Sequence, residues 1–384
     1  MNADSPVRVL APRQTGNAFS RRALLSGTLG VGAAAMLAGC SRGAGTAAGS
    51  PPSAAESGPV TKNINLYTWG DYDDPDVLKA WGEVALDSYG SNEEMISKLQ
   101  AANGTSGYDI VVPTHNFIPQ MAQAGLLMEL DKAKLPNFAN LEDDSIGQEF
   151  DPDNTYSVPK AWGIAGFAYD TTVIDRELTS WKDFWDAMQN DAGGKTSLLE
   201  DAGEIAAAYF FSQGIDPFTT DEAALQQYHD FILGIADKVQ AFESYPSATI
   251  AQNGVALAHA WNGDARQGIL SNSDPNRYTF VVPTDGATRF QDNWCIPVGA
   301  PNPDGAHDFI NHVLDPEVSL KELEYIGYPT GVKGIEEAAR AADIERPDLV
   351  FYTPEQVAKF SYLVLNDSLQ ELNDYMNELR AAAG

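Results

Sequence analysis

From about residue 62 onward, short runs of consecutive apolar residues alternate with stretches in which apolar positions recur every three or four residues. Ile64–Tyr67 and Tyr108–Val112 read as short buried strands, the second stopped by Pro113. Between them Ser91-Asn92-Glu93-Glu94 has the spacing of a capping box, and Met95, Ile96 and Leu99 then fall on one helical face. Thr219-Thr220-Asp221-Glu222 opens another helix through Leu225, Tyr228, Ile232 and Ile235. Val255–Ala258, Tyr278–Val282 and Trp294–Val298 are further strand segments, and two helices follow Pro303-Asp304 and Pro316-Glu317, where proline suits a first turn. The alternation predicts an α/β fold, and about 320 residues suffice for two domains of ordinary size. No internal repeat is visible.

The first forty residues follow another pattern. Arg21-Arg22 stands just ahead of an apolar run from Ala23 to Ala38, too short for a permanent membrane span. This order predicts a twin-arginine export signal over residues 1–39. Leu37-Ala38-Gly39-Cys40 places small residues before a cysteine and resembles the lipobox of bacterial lipoproteins, so Cys40 is the expected lipid carrier. Residues 40–61 are rich in Gly, Ala, Ser and Pro, the composition of a flexible tether. The expected location is therefore outside the cytoplasm, on the outer face of the cell membrane or in the periplasm, held to the membrane by lipid.

With Cys40 lipidated, Cys295 is the one cysteine left, so no disulfide within the mature chain and no Cys/His metal cluster is expected. His307 and His312 are five apart, off the i, i+4 spacing of a zinc pair, and are expected on a solvated helix face. The chain carries 24 Lys and Arg against 54 Asp and Glu, a formal charge of −30. The leader holds four of the arginines and one aspartate, so the exported part is more acidic still. Such a field repels nucleic acid and draws cations.

Enzyme signatures are missing: there is no Gly-x-Ser-x-Gly elbow, no phosphate loop, no dinucleotide fingerprint and no His-Glu-x-x-His. Instead, aromatic residues stand beside carboxylates in Trp69-Gly70-Asp71-Tyr72, Trp261-Asn262-Gly263-Asp264 and Phe290-Gln291-Asp292, with Tyr328 further on. An aromatic face attracts an alkylammonium by about 0.5–2 kcal/mol and also covers its methylenes. A carboxylate at about 4 Å adds about 4 kcal/mol at an effective dielectric of 20, before desolvation is subtracted. The combination suits a small cationic solute.

Tyr67-Thr68-Trp69-Gly70-Asp71-Tyr72, Tyr89-Gly90-Ser91-Asn92-Glu93-Glu94-Met95, Tyr108-Asp109-Ile110-Val111-Val112-Pro113, the stretch Phe150–Pro159, Trp261-Asn262-Gly263-Asp264 and Ile326-Gly327-Tyr328-Pro329-Thr330 occur in this order. Together they resemble the spermidine/putrescine-binding proteins of bacterial ABC importers, over about residues 62 to 330. The resemblance implies a two-lobed, hinged fold of the type II periplasmic-binding kind. Residues 62–161 with 293–330 would form one lobe, 162–292 the other, and a C-terminal segment, 331–384, would pack across them. It implies polyamine capture for delivery to a membrane permease, with no cofactor. Carried over residue by residue, the ligand contacts fall on Trp69, Tyr72, Asp201, Glu204, Trp261, Asp292 and Tyr328, with Asp71, Thr114, Asn116, Asp264 and Phe290 as secondary candidates. This chain departs from the family in Thr114-His115-Asn116-Phe117, in Phe290 where a tryptophan is common, and in about five residues absent where Trp81-Gly82-Glu83 runs into Val84. The resemblance does not place the family's C-terminal polar ligand position on a particular residue. The rival readings are binding of another amine, such as an opine or aminoalkylphosphonate, binding of a sugar, and an extracellular glycoside hydrolase.

Overall fold

The computed structural model describes residues 60–384; the expected export leader, Cys40 and nearly all of the expected tether lie outside them. Ten strands form one continuous sheet: β1 (Asn63–Trp69), β2 (Glu83–Tyr89), β3 (Ile110–Val111), β4 (Ser157–Asp170), β5 (Thr196–Leu199), β6 (Val239–Glu243), β7 (Leu257–Trp261), β8 (Tyr278–Val281), β9 (Ala287–Cys295) and β10 (Phe360–Tyr362). Their order is β2-β1-β3-β9-β4-β7-β5-β6, with β10 added beside β9 and β8 beside β4. β1 runs parallel to β2 and β3, and β5 parallel to β6 and β7, each connection returning through a helix as parallel pairing requires.

β4 and β9 join the two halves. The first part of β4, Ser157–Ile164, pairs antiparallel with β9, and the second part, Ala165–Asp170, pairs with β7 and β8. β4 is covered on both faces, and for that reason it shows no apolar–polar alternation to read. Its pairing with β9 is broken by a bulge between Pro159 and Ala161, which leaves Lys160 as the extra residue and re-aims its side chain. Of the predicted strand at Trp294–Val298, only Trp294 and Cys295 are strand, as the tail of β9, whose earlier residues are mostly polar.

Each half has its own apolar core. Ile64, Leu66, Ile110, Trp294, Phe309 and Ile310 pack in the first, and Phe167, Trp181, Phe184, Phe210, Tyr228 and Leu257 in the second. The last helix, Leu369–Ala383, seats Leu372, Met376 and Leu379 in the second core against the Ala202–Gln213 helix. The first helix, Pro75–Trp81, ends on Gly82, where a Cβ would fall 2.5 Å from the Lys62 carbonyl. The chain therefore turns straight into β2, an edge strand whose residues are mostly exposed, Leu86 among them.

His307 corrects the expectation of a solvated histidine. It is buried, with Nδ1 against the Pro303 carbonyl at 2.7 Å and Nε2 accepting from the Asp131 N–H at 3.0 Å, and it pins a loop to the Pro303–Val313 helix. His312, one turn on, is half-buried. Among the described residues no helix is long and apolar enough to cross a membrane, and no three His, Cys, Asp or Glu are grouped to hold a metal ion.

Phe184 is fully buried and meets Phe167, Trp181 and Trp185 at centroid distances of 5.2, 5.6 and 4.8 Å. Phe184→Ala is therefore expected to cost about 3–5 kcal/mol, whereas Leu86→Lys on the open edge should stay within about 0.5 kcal/mol, as urea denaturation would measure.

Candidate ligand cleft

The strand ends and helix starts of both halves converge on one cavity of about 690 Å³, within the range of small-molecule sites. Trp69 and Tyr72 arrive from the end of β1, separated by a tight turn in which Asp71 takes φ +51°. The Trp69 indole donates to the Val112 carbonyl at 3.0 Å and packs edge-on against Tyr89 at 4.6 Å, which fixes its plane. From the other half, Trp261 ends β7. The two residues after it are structural: Asn262 accepts from the Ile164 N–H and donates to the Leu349 carbonyl, and Gly263 leaves room for Tyr328, whose ring would lie 2.2 Å from a Cβ there. Tyr72, Tyr328, Phe290 and Trp261 then form a continuous edge-to-face series at 5.7, 5.5 and 5.2 Å.

Carboxylates interrupt this aromatic wall. Asp292, on β9, accepts from the Thr114 hydroxyl at 2.8 Å, and Thr114 is itself held by the Asn92 side chain through both its N–H and its hydroxyl. Burial pushes the Asp292 carboxyl up to about 6, against the pull of Thr114, the neighbouring Tyr72 hydroxyl and the Lys160 charge. Asp264 sits in the first turn of the Asn262–Ser271 helix, accepts from the Tyr328 hydroxyl at 2.9 Å, and is pushed up to about 7 by its enclosure. Asp201 caps the Ala202–Gln213 helix by accepting from the Glu204 N–H at 3.0 Å; burial raises its carboxyl too. Both amide atoms of Asn116 are shut away from solvent on the cavity wall without a protein partner.

In all, seven carboxylates line the cavity, those of Asp71, Glu93, Glu94, Glu200, Asp201, Asp264 and Asp292, against the single guanidinium of Arg380. Arg380 is already paired with Glu200 at 2.9 Å. The wall therefore has a surplus of negative charge in a partly dry site and apolar ring faces beside it, which is chemistry for binding a cation with a carbon skeleton.

Residues 82–348, well over half the chain, match the family described as bacterial extracellular solute-binding protein. The spermidine/putrescine-binding periplasmic protein 1 of Haemophilus influenzae is 31% identical over 328 residues, covering 83% of this chain and 89% of that protein. The putrescine/agmatine-binding protein of Pseudomonas aeruginosa is 30% identical over 288 residues, covering 70% and 78%. Among solved structures, a spermidine/putrescine ABC transporter substrate-binding protein of Streptococcus pneumoniae superposes with a TM-score of 0.71 at 26% identity, covering 84% of this chain and all of that one. This chain belongs to the bacterial extracellular solute-binding proteins.

The fold of this solute-binding protein is accordingly the two-lobed, type II arrangement, and its kind of work is binding rather than catalysis. Of the residues singled out in the sequence, Trp69, Tyr72, Asp201, Trp261, Asp292 and Tyr328 stand on the cavity wall, and so do Asp71, Thr114, Asn116, Asp264 and Phe290. Glu204 does not. It is buried behind the wall, where one oxygen accepts from the Thr288 hydroxyl at 2.5 Å and the other has no partner, and burial beside Asp201 drives its carboxyl well above the usual range. Three residues past its cap it points into the helix's packed side. Asp264, a secondary candidate from sequence, is tied to Tyr328 on the wall.

Other wall residues carried no sequence signal. Tyr245 follows β6, and Leu363, Leu365 and Asn366 come from the segment after β10, which is tied to the cleft by the His115 imidazole at 2.9 Å from the Leu363 carbonyl. Behind Tyr72, the Lys160 ammonium lies 2.8 Å from Asp73 and 3.5 Å from Glu322 and over the rings of Tyr72 and Trp294 at 4.7 and 4.2 Å. Burial raises both acids, Glu322 to about 7, even with the lysine between them.

Asp292 and Asp264 thus hold their protons more tightly in the folded, empty protein than in the unfolded chain, where an aspartate titrates near 4. The folded state binds more protons between about pH 4 and 7, so these two groups make it more stable as pH falls from 8 toward 5. Asp292→Asn removes one of them, and the empty variant should be more stable than the parent at pH 8 by on the order of 1–3 kcal/mol, with the difference shrinking by pH 5, in denaturation curves taken without ligand.

Proposed function

We propose that this solute-binding protein captures a polyamine of the putrescine/spermidine class outside the cytoplasm and delivers it to the membrane permease of an ABC importer. The observation that carries this reading is the cavity wall itself: an unbroken edge-to-face series of aromatics set among carboxylates whose lone basic neighbour is already paired. Relatives named for spermidine, putrescine and agmatine support it. In this reading Asp292 grips an ammonium group while Trp69, Tyr72, Trp261, Phe290 and Tyr328 cover the methylenes. Asp71, Asp201 and Asp264 supply further charge, Asn116 offers its unpartnered amide, and Thr114 holds Asp292 in place. Glu204 supports the wall from behind. The lobes are residues 62–161 with 293–330 and residues 162–292, bridged by the C-terminal segment. The twin-arginine leader exports the chain and Cys40 fixes it to the membrane by its lipid.

Asp292→Asn keeps shape and removes charge, so it should weaken the best amine by about 2–5 kcal/mol, as for a buried charge pair left half unmatched. Calorimetry against putrescine, spermidine, spermine and a neutral sugar would measure it. A bound ammonium also pulls the carboxyls of Asp292 and Asp264 down from about 6 and 7, so binding near pH 6 should release protons, seen as heats that vary with the buffer. Equal affinity of parent and variant, or binding of the sugar alone, would overturn the reading.

Cys40→Ser should leave export intact and move the protein from the membrane to the soluble fraction, because one thiol carries the anchor. Unchanged membrane association on fractionation would exclude the lipobox.

A further inference from the structure

Tyr245 lies between β6 and the Ser247–Ala251 helix, at an X-Pro junction that favours extended backbone. Its hydroxyl crosses the cleft mouth. The O–H donates to the Tyr89 carbonyl at 2.7 Å, and the same oxygen accepts from the Gly70 N–H at 3.1 Å. Both partners are backbone groups at the ends of β1 and β2, in the other lobe. Gly70 directly follows Trp69, and Tyr89 comes two residues ahead of Ser91, the cap of the Asn92–Ala102 helix. One hydroxyl therefore uses its donor and its acceptor to tie the first-lobe loops that carry Trp69, Asp71 and Tyr72, and those that carry Asn92 and Glu93, to the far side. Among the described residues, no other hydrogen bond joins these loops to the β6 end. Gly70 is shaped for the contact: a Cβ there would lie 3.2 Å from Cζ of Tyr245, although its backbone is one that any residue adopts.

We infer that Tyr245 is the latch of the closed state, a positioning residue that sets how long a captured solute is retained rather than how fast it enters. Closure brings like charges together across the mouth, Asp71 toward Asp264 and Glu93 toward Asp201, all four on the cavity wall. In an empty cleft this repulsion opposes two neutral hydrogen bonds of modest net strength. A cation between the carboxylates removes the repulsion, and the latch then holds. Because the latch forms only after the lobes have met, losing it accelerates dissociation and leaves association unchanged.

The proposal rests on the two-lobed binding fold; the amine identity matters only for the probe. Tyr245→Phe keeps the ring and loses both hydrogen bonds, and Gly70→Ala crowds the same contact from the opposite lobe. In stopped-flow tryptophan fluorescence with spermidine or putrescine, both variants should release ligand about ten-fold faster, with association within about two-fold of the parent. Release at the parent rate in both variants overturns the latch, as does an equal loss in association, which would mark Tyr245 as a plain ligand contact. If the parent binds neither amine, the polyamine reading fails and the latch is tested without ligand at pH 5, where protonation of Asp264 removes part of the repulsion that opposes closure. Spin labels at Leu86→Cys and Val173→Cys, both exposed in the parent and in opposite lobes, then report the inter-lobe distance. A shift of the Tyr245→Phe population to longer distances supports the latch, and an unaltered distribution overturns it.

Discussion

The ladder between β4 and β9 is the constraint on which both the fold and the cleft depend. Its hydrogen bonds run from Ser157 opposite Cys295 to Ile164 opposite Arg289, after which β4 leaves its partner and enters the other half of the sheet. Two strands passing between halves can bend together without either half losing its own core, since the apolar clusters on the two sides are separate. The same ladder supplies the floor of the site. Phe290 and Asp292 lie on β9, Gly163 on β4 leaves the space that Phe290, Tyr328 and Asn262 occupy, and the bulge at Lys160 sends a buried cation beneath Tyr72.

Around that floor the energetics are deliberately unfavourable when the cleft is empty. Desolvation raises Asp292, Asp264 and Asp201, and the neighbouring acids are too numerous for Arg380 to neutralise. A solute that brings positive charge relieves a cost already present in the fold, so part of its affinity comes from the protein rather than from new contacts. Neutral donors mark where the charge must stay: Thr114 on Asp292, Tyr328 on Asp264, and the helix N-terminus at Asp201. Lys160 is satisfied by Asp73 and Glu322 and so tempers Asp292 from behind without occupying the cavity.

The C-terminal segment completes the molecule in a way that links hinge and wall. β10 adds to β9 beside Ala287–Arg289, and the Arg289 guanidinium lies over Trp162 and Tyr362 at 4.1 and 4.8 Å. From there the chain runs past His115 along the cavity to the last helix, which is part of the second core. Its residues Leu363, Leu365 and Asn366 line the cavity.

What was legible in the sequence was local. Alternating periods told strand from helix, the Ser91 cap and the prolines at 303 and 316 marked helix starts, and clusters of aromatic residues with nearby acids pointed to the cleft. The ordered motifs carried the family. β4 stayed hidden because a strand covered on both faces has no period, and most of β9 because its buried positions include the polar Thr288, Gln291, Asp292 and Asn293. Glu204 departed from its expected place because three residues' separation along a helix is the same in sequence whether the side chain meets a cavity or the packed interior. Tyr245 gave no signal at all, since its partners are backbone groups about 156 and 175 residues away, brought to it only by the meeting of two lobes. Composition and local pattern thus determined the class of fold and the sign of the charge, whereas tertiary structure alone decided which acids are desolvated and which side chains span the cleft, because burial and contact across lobes are properties of the folded chain and not of any segment of it.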